Sequence, residues 1–328
     1  MTSGMCSERT WQLLQMLADG KFHSGQALAE QLGLSRASIF NALNETADHG
    51  IALQRIRGRG YRLAQPWDQL KKEEVLRGLD ADAAKFNIEI FQQGISSNTM
   101  LLQRSALGAP SGSVVAIEMQ TAGRGRLGRI WHSGLGGGLT FSMLWRFDCG
   151  INALSGLSLA VGVAVVRALN DLGARGVQLK WPNDILTENG KLGGVLIESQ
   201  GDMLGPCAVV IGIGLNYTLT DSISKKIDQP ASALNEVCTN MPTRSQLLAT
   251  LLRELAGVLH EFIKSGFPSL RQEWEQYHAY QNRMVRLHMP DGSEINGKAT
   301  GITDTGELCL ETERGTKCLN SGEVGAMR

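Results

Sequence analysis

The hydrophobic rhythm of the chain changes three times. Over residues 10–63 apolar positions recur at helical spacing in short bursts. Trp11, Leu14 and Leu17 share one face, closed by Asp19-Gly20. Ser24 caps a second burst carrying Leu28 and Leu32, which Gly33 stops. Ser35 caps a third with Ile39, Leu43 and Ala47 inward, closed by Gly50. Two short helices around the turn Leu32-Gly33-Leu34-Ser35 predict a helix-turn-helix. Residues 52–63 then alternate like a strand pair around a glycine turn. After the break at Gln65-Pro66-Trp67, residues 68–79 predict a charged connecting helix.

From Asn87 the chain alternates between two rhythms. Runs at 88–91, 114–120, 139–147, 178–181, 195–198 and 208–215 read as strands. Residues 155–172 and 244–264 read as helices, the second opened by a Thr243-x-x-Gln246 capping box. Strands outnumber helices and several adjoin, so α+β fits better than a doubly wound parallel sheet. From Gln281, short alternating strands meet turns at Pro290-Asp291-Gly292, Asp304-Thr305-Gly306 and Arg314-Gly315. They predict a small β-barrel of about fifty residues, a size that leans on a neighbour for stability. The expected domains are therefore 1–65, 66–280 and 281–328.

Composition changes this picture only locally. The 328 residues hold 32 Lys+Arg against 32 Asp+Glu, so any basic surface must be a patch. Residues 52–63 are such a patch, with four arginines and no acid. The preceding helix turns Arg36, Ser38, Asn41 and Asn44 outward, where they can bond phosphates or base edges. A helix in the major groove with Arg57 and Arg59 on the flanking backbone accounts for both features, which favours a DNA-binding winged helix. The six cysteines lie far apart, with no CxxC and no histidine at ligand spacing; they read as reduced, buried thiols, not as a metal site. No signal peptide is expected. The most apolar stretch, 154–169, is broken by Ser155, Ser158 and Arg167, so a cytoplasmic protein without a membrane partner is expected.

The 39 glycines cluster mid-chain, where the candidate chemistry lies. Gly123-Arg124-Gly125-Arg126-Leu127-Gly128-Arg129 satisfies G-x-G-x-x-G, but no helix pattern follows and the dinucleotide reading fails. What remains is a pliable loop whose three guanidiniums offer forked donors to phosphate or carboxylate. Lys180-Trp181-Pro182-Asn183-Asp184 stands at a strand end, where proline turns the chain out of the sheet. Lys191 precedes Gly193-Gly194, which leave room for a substrate beside it. Gly212-Ile213-Gly214-Leu215-Asn216 ends a buried strand with an amide at its tip.

In this order and spacing, with Ser96-Ser97-Asn98 and Gln120, these motifs resemble the bifunctional biotin protein ligase and biotin-operon repressor family. The resemblance runs the whole length, from the winged helix (His23-Ser24-Gly25 and Leu34-Ser35-Arg36) to the C-terminal strands. It implies a class II synthetase-like mixed sheet at the centre and an SH3-like barrel behind. It implies ATP-dependent formation of biotinyl-5′-adenylate, with Mg²⁺ accompanying ATP on ligands it does not specify. Transfer to a lysine of the biotin carboxyl carrier protein of acetyl-CoA carboxylase follows. An adenylate-bound homodimer on the operator DNA of biotin-synthesis genes is also implied. Residue by residue, Ser96, Ser97, Asn98, Gln120, Arg124, Gly125, Arg126 and Lys191 would line the biotin site. Arg126, Arg129, Trp131, Asn183, Asp184 and Asn216 would meet the adenylate, and Asp184 and Asn216 either it or its metal. Lys191 and Arg126 would be catalytic, and Ser24 and Ser35 would join the DNA-contacting set. Leu127 departs from the polar residue of several relatives, and residues 228–234 lack a tryptophan that some repressors stack on adenine. Two other classes were weighed: a metabolite-sensing repressor without ligase activity, and a lipoate or octanoate ligase.

Overall fold

A computed structural model describes residues 5–219 and 221–327; Met1–Gly4, part of the leader reading, lie outside the described residues. In the N-terminal region α1 (Glu8–Met16), α2 (Gly25–Leu32) and α3 (Arg36–Asp48) precede the antiparallel hairpin β1 (Leu53–Ile56) and β2 (Gly60–Leu63). Ser24 and Ser35 act as the capping signals predicted, each hydroxyl accepting a backbone N–H, from Ala27 at 3.0 Å and Ser38 at 3.1 Å. Trp11, Leu13, Leu14, Leu17, Leu28, Ile39 and Leu43 fill a small core of their own. The hairpin is docked on the α2 entrance: His23 and Tyr61 exchange two backbone bonds of 2.9 Å. A side chain at Gly60 would collide with the His23 carbonyl, which is why glycine stands there.

The connecting segment departs from expectation. The helix α4 spans only Lys72–Leu79, because the Asp68 carboxylate accepts the Arg244 backbone N–H at 2.6 Å and so is drawn away. The central elements follow as β3 (Asn87–Gly94), α5 (Ser97–Ala106), β4 (Ser113–Gln120), β5 (Gly138–Phe147), α6 (Leu157–Asp171), β6 (Gln178–Lys180) and β7 (Asp184–Thr187). Next come β8 (Gly190–Gly201), β9 (Cys207–Asn216), α7 (Asp221–Ser224), α8 (Arg244–Ser265) and α9 (Pro268–Tyr277). One seven-stranded mixed sheet results, in the order β3-β4-β5-β9-β8-β7-β6, with only β3 and β4 parallel. Alternation sorts its faces. Val114, Ala116, Phe141 and Met143 join the large core with α6 and α8, while Val115, Ile117 and Leu144 pack with Leu101 of α5. Helices α5 and α9 and strand β7 were not legible in the apolar pattern. Strand β8 of the β7–β8 hairpin spans Gly190–Gly201, extending beyond the 195–198 run at both ends.

Five C-terminal strands, β10 (Met284–His288), β11 (Glu294–Ile302), β12 (Leu308–Thr312), β13 (Gly315–Leu319) and β14 (Glu323–Ala326), form an antiparallel sheet ordered β13-β12-β11-β10-β14. Val285, Leu287, Ala299, Leu308 and Val324 belong to the same continuous core as α6 and α8. So small a sheet is stable because it shares its neighbour's interior. The cysteine reading needs correction. Cys6, Cys207 and Cys238 are buried, but Cys149 and Cys309 are half-buried and Cys318 is exposed.

Candidate active site

Antiparallel pairing brings the chemistry-bearing residues to one edge of the central sheet. Gly138 at the start of β5 pairs with Asn216 at the end of β9; Asp184 at the start of β7 pairs with Lys180 on one side and Gly194 on the other. Gln120 ends β4 nearby, and the arginine loop joins β4 to β5 across the same edge. Between loop and edge lies a cleft of about 600 Å³. All thirteen residues expected at the biotin and adenylate sites line it: Ser96, Ser97, Asn98, Gln120, Arg124, Gly125, Arg126, Arg129, Trp131, Asn183, Asp184, Lys191 and Asn216.

One end of the cleft is a hydrogen-bonding network of serines and amides anchored on one carboxylate, Glu198. The Ser97 N–H donates to Gln120 Oε1 at 2.7 Å, and Asn98 Nδ2 donates to Glu198 Oε2 at 2.8 Å. Ser142 Oγ, fully buried, lies 2.7 Å from Ser97 Oγ and 2.5 Å from Asn98 Oδ1. A Cβ at Gly212 would overlap Asn98, and one at Gly214 would overlap the Trp131 indole. The glycines therefore make room for side chains that wall the site. The Trp131 Nε1 is buried without a hydrogen-bond partner among the described residues.

The other end is built from charge. Lys180 Nζ sits 3.0 Å from Asp184 Oδ2 and Lys191 Nζ sits 2.6 Å from Oδ1, so one carboxylate carries two ammoniums. Burial pushes the Asp184 carboxyl up, yet the charges and hydrogen bonds of the two lysines outweigh it and hold it below the usual carboxylate range. Both Asp184 oxygens are thus engaged in positioning lysines. Arg124 pairs with Glu198, and Arg129 Nη2 with Glu323 Oε2 of β14 at 2.5 Å. Arg126 differs. Its Nη1 donates to the neutral amide of Asn183 at 2.9 Å, and no carboxylate pairs with it among the described residues. Burial draws this guanidinium below its ordinary value, against the pull of Asp184 and Glu323. Asn183 is in turn held by its Nδ2 donating to the Val195 carbonyl, and Asn216 Nδ2 donates to the Lys191 and Ser232 carbonyls. At the loop's tip Leu127 is exposed and adopts φ 55°, a conformation that L residues seldom take.

Sequence reasoning gave no role to Lys180, Ser142 or Glu198. Lys180 was visible in the Lys180–Asp184 motif; Ser142 and Glu198 sit mid-strand, where nothing local marks them. At the other end of the chain Arg36, Asn41, Asn44, Arg57 and Arg59 are exposed, and Ser38 is half-buried with its hydroxyl 2.9 Å from that of Ser35.

Comparison with known proteins interprets this arrangement. The family model of the Biotin/lipoate A/B protein ligase family matches residues 91–216. That of the biotin protein ligase C-terminal domain matches 281–324, and that of an HTH domain 9–62. The bifunctional ligase/repressor BirA of Escherichia coli is 36% identical over 313 residues, 95% of each chain. The chain belongs to the bifunctional biotin ligase/repressor family. Its BirA relative in Bacillus subtilis is 30% identical over 309 residues, 94% of each chain. The solved structure of biotin protein ligase from Aquifex aeolicus in complex with biotin and ATP is similar to this ligase with a TM-score of 0.62 and 29% identity, covering 74% of this chain and 99% of that one. No helix among the described residues is long and apolar enough to cross a membrane.

Proposed function

We propose that the cleft joins biotin to ATP as biotinyl-5′-adenylate and then passes the biotinyl group to a lysine of the biotin carboxyl carrier protein of acetyl-CoA carboxylase. A carboxylate approaching the α-phosphate sets anion against anion, about 4 kcal/mol of repulsion at about 4 Å and an effective dielectric near 20. The observation that carries the reading is the cationic end of the cleft, lined by Lys191, held at 2.6 Å by Asp184, and by the Arg126 guanidinium, bonded to the Asn183 amide and to no carboxylate among the described residues. Such preorganised charge offsets the repulsion and stabilises the charge that develops as the carboxylate oxygen bonds the α-phosphorus and pyrophosphate leaves. The carrier lysine amine then attacks the acyl carbon and AMP departs.

Biotin binds along Ser96, Ser97, Asn98, Gln120, Arg124 and Gly125, with Arg126 and Lys191 at its carboxylate. Arg129, Trp131, Asn183, Asp184 and Asn216 face the adenylate. Mg²⁺ enters as part of the ATP substrate. No cluster of three or more potential ligands (His, Cys, Asp or Glu) occurs among the described residues, and Asp184 is already shared by two lysines. The exposed face of α3 and the arginine wing bind operator DNA of biotin-synthesis genes, as an adenylate-bound homodimer acting in the cytoplasm. Mass spectrometry after incubation with ATP, Mg²⁺ and biotin tests the reading, which expects biotinyl-adenylate bound to the protein. Pyrophosphate exchange supported by lipoate in preference to biotin would point instead to the lipoate class.

A further inference from the structure

Two of the six cysteines, distant from the cleft, meet across a hairpin. Cys309 on β12 and Cys318 on β13 are direct register partners, and their Sγ atoms lie 2.7 Å apart. The hairpin closes through two residues, Glu313-Arg314, between the partners Thr312 and Gly315. Antiparallel pairs alternate outward from such a turn between hydrogen-bonded and non-hydrogen-bonded geometry. Three steps out, Cys309 and Cys318 fall on a non-hydrogen-bonded pair, where Cα atoms stand about 4.5 Å apart and side chains are closest. That spacing lies within the range a disulfide spans, about 4.4–6.8 Å. Cys318 is exposed, on the outermost strand of its sheet, so an oxidant reaches it directly. Cys149 is near enough to Cys207 to act on it electrostatically, but the sulfur–sulfur contact among the described residues is that of Cys309 and Cys318.

We infer that Cys309 and Cys318 form a redox-reversible dithiol, closed to a disulfide by exchange with a small oxidised thiol such as glutathione disulfide. The Cys318 thiolate attacks one sulfur of the oxidant, forming a mixed disulfide and releasing one thiolate. Cys309 then gives its proton to water and attacks the Cys318 sulfur, releasing the second. Two protein thiols are oxidised and one small disulfide is reduced to two thiols. The order follows from the environment. Burial, with the hydrogen bond and charge of its neighbour, pushes the Cys309 thiol up to about 12, so it resolves and does not initiate. Being exposed, the disulfide is of the labile, readily reduced kind.

The full-length protein, folded and reduced, is incubated with glutathione disulfide, quenched by alkylation and mapped by mass spectrometry. A species two hydrogen masses lighter is expected, with the peptides of Cys309 and Cys318 linked and the link reversed by dithiothreitol. Cys318→Ser, at an exposed position, should abolish that species while leaving the protein folded. Stable glutathione retained on Cys318 beside an alkylatable Cys309, or both thiols still alkylated after oxidation, would overturn the inference.

Discussion

The winged helix and the cleft use the same cations under opposite rules. On the wing, Arg55, Arg57, Arg59 and Arg62 have no carboxylate partner among the described residues; Arg59 and Arg62 lie over the Phe22 ring at 4.7 and 4.8 Å. Arg57 and Arg59 are exposed and available to a polyanion wherever it presents phosphate, while Arg55 donates to the Leu43 carbonyl and half-buried Arg62 to Gln54 Oε1. In the cleft, Lys180, Lys191, Arg124 and Arg129 are each tethered to a carboxylate, the two lysines from the sheet edge and the two arginines from the loop above it. Tethering costs net charge but gives position, which is what one reacting group requires and a duplex backbone does not. The two regions meet at a buried knot. The Arg244 guanidinium, fully buried, bonds Glu118, the Asp68 carbonyl and the Gly138 carbonyl. Glu118 also accepts Trp67 Nε1–H at 3.2 Å, and Trp67 packs against Trp11 of the N-terminal core, ring centroids 5.5 Å apart and tilted by 56°.

That difference can be broken at graded cost. Arg244→Ala strands Glu118 as a buried charge and should cost about 3–5 kcal/mol of stability, read by denaturant melts. The loss should appear in the catalytic body as well as the N-terminal core, because the knot holds both. Lys191→Ala should lower stability less than Arg244→Ala, because buried Asp184 keeps Lys180, but should lower adenylation about 100- to 1000-fold, the usual effect of deleting one preorganised electrostatic group. Arg126→Gly removes the loop's one guanidinium with a neutral partner. Losing charge-assisted bonds worth about 1.5–3 kcal/mol should speed adenylate release roughly 10- to 100-fold by stopped flow. Arg57→Ala and Arg59→Ala should have the smallest effect: slightly weaker DNA binding on every sequence, each lowering the salt slope by about one unit.

Much of this contrast was legible in the chain, for reasons that differ by region. The winged helix announced itself through local signals alone, the serine caps, the glycine stops and a run of arginines without acids. Every one of those features acts within a dozen residues. The cleft was legible as a set of glycine-flanked motifs, but not as a circuit. That Asp184 serves two lysines depends on a β7–β8 hairpin hidden in a polar, glycine-rich stretch. Glu198 pairs with Arg124 across 74 residues, and Arg244 bonds Glu118 across 126. Arg244 read as the first residue of a helix opened by a capping box, with nothing local to mark it as buried. Its complete burial is a tertiary fact. The paired thiols escaped for the same reason in smaller measure, because spacing alone does not reveal hairpin register.

The division of labour is tested most directly by biotin-dependent pyrophosphate exchange into ATP, measured side by side for Lys191→Ala and for the doubly substituted wing, Arg57→Ala with Arg59→Ala. Exchange should collapse in the first and match the unsubstituted protein in the second. Near-normal exchange in Lys191→Ala, or an equal collapse in the wing variant, would contradict the assignment of tethered charge to chemistry and free charge to DNA.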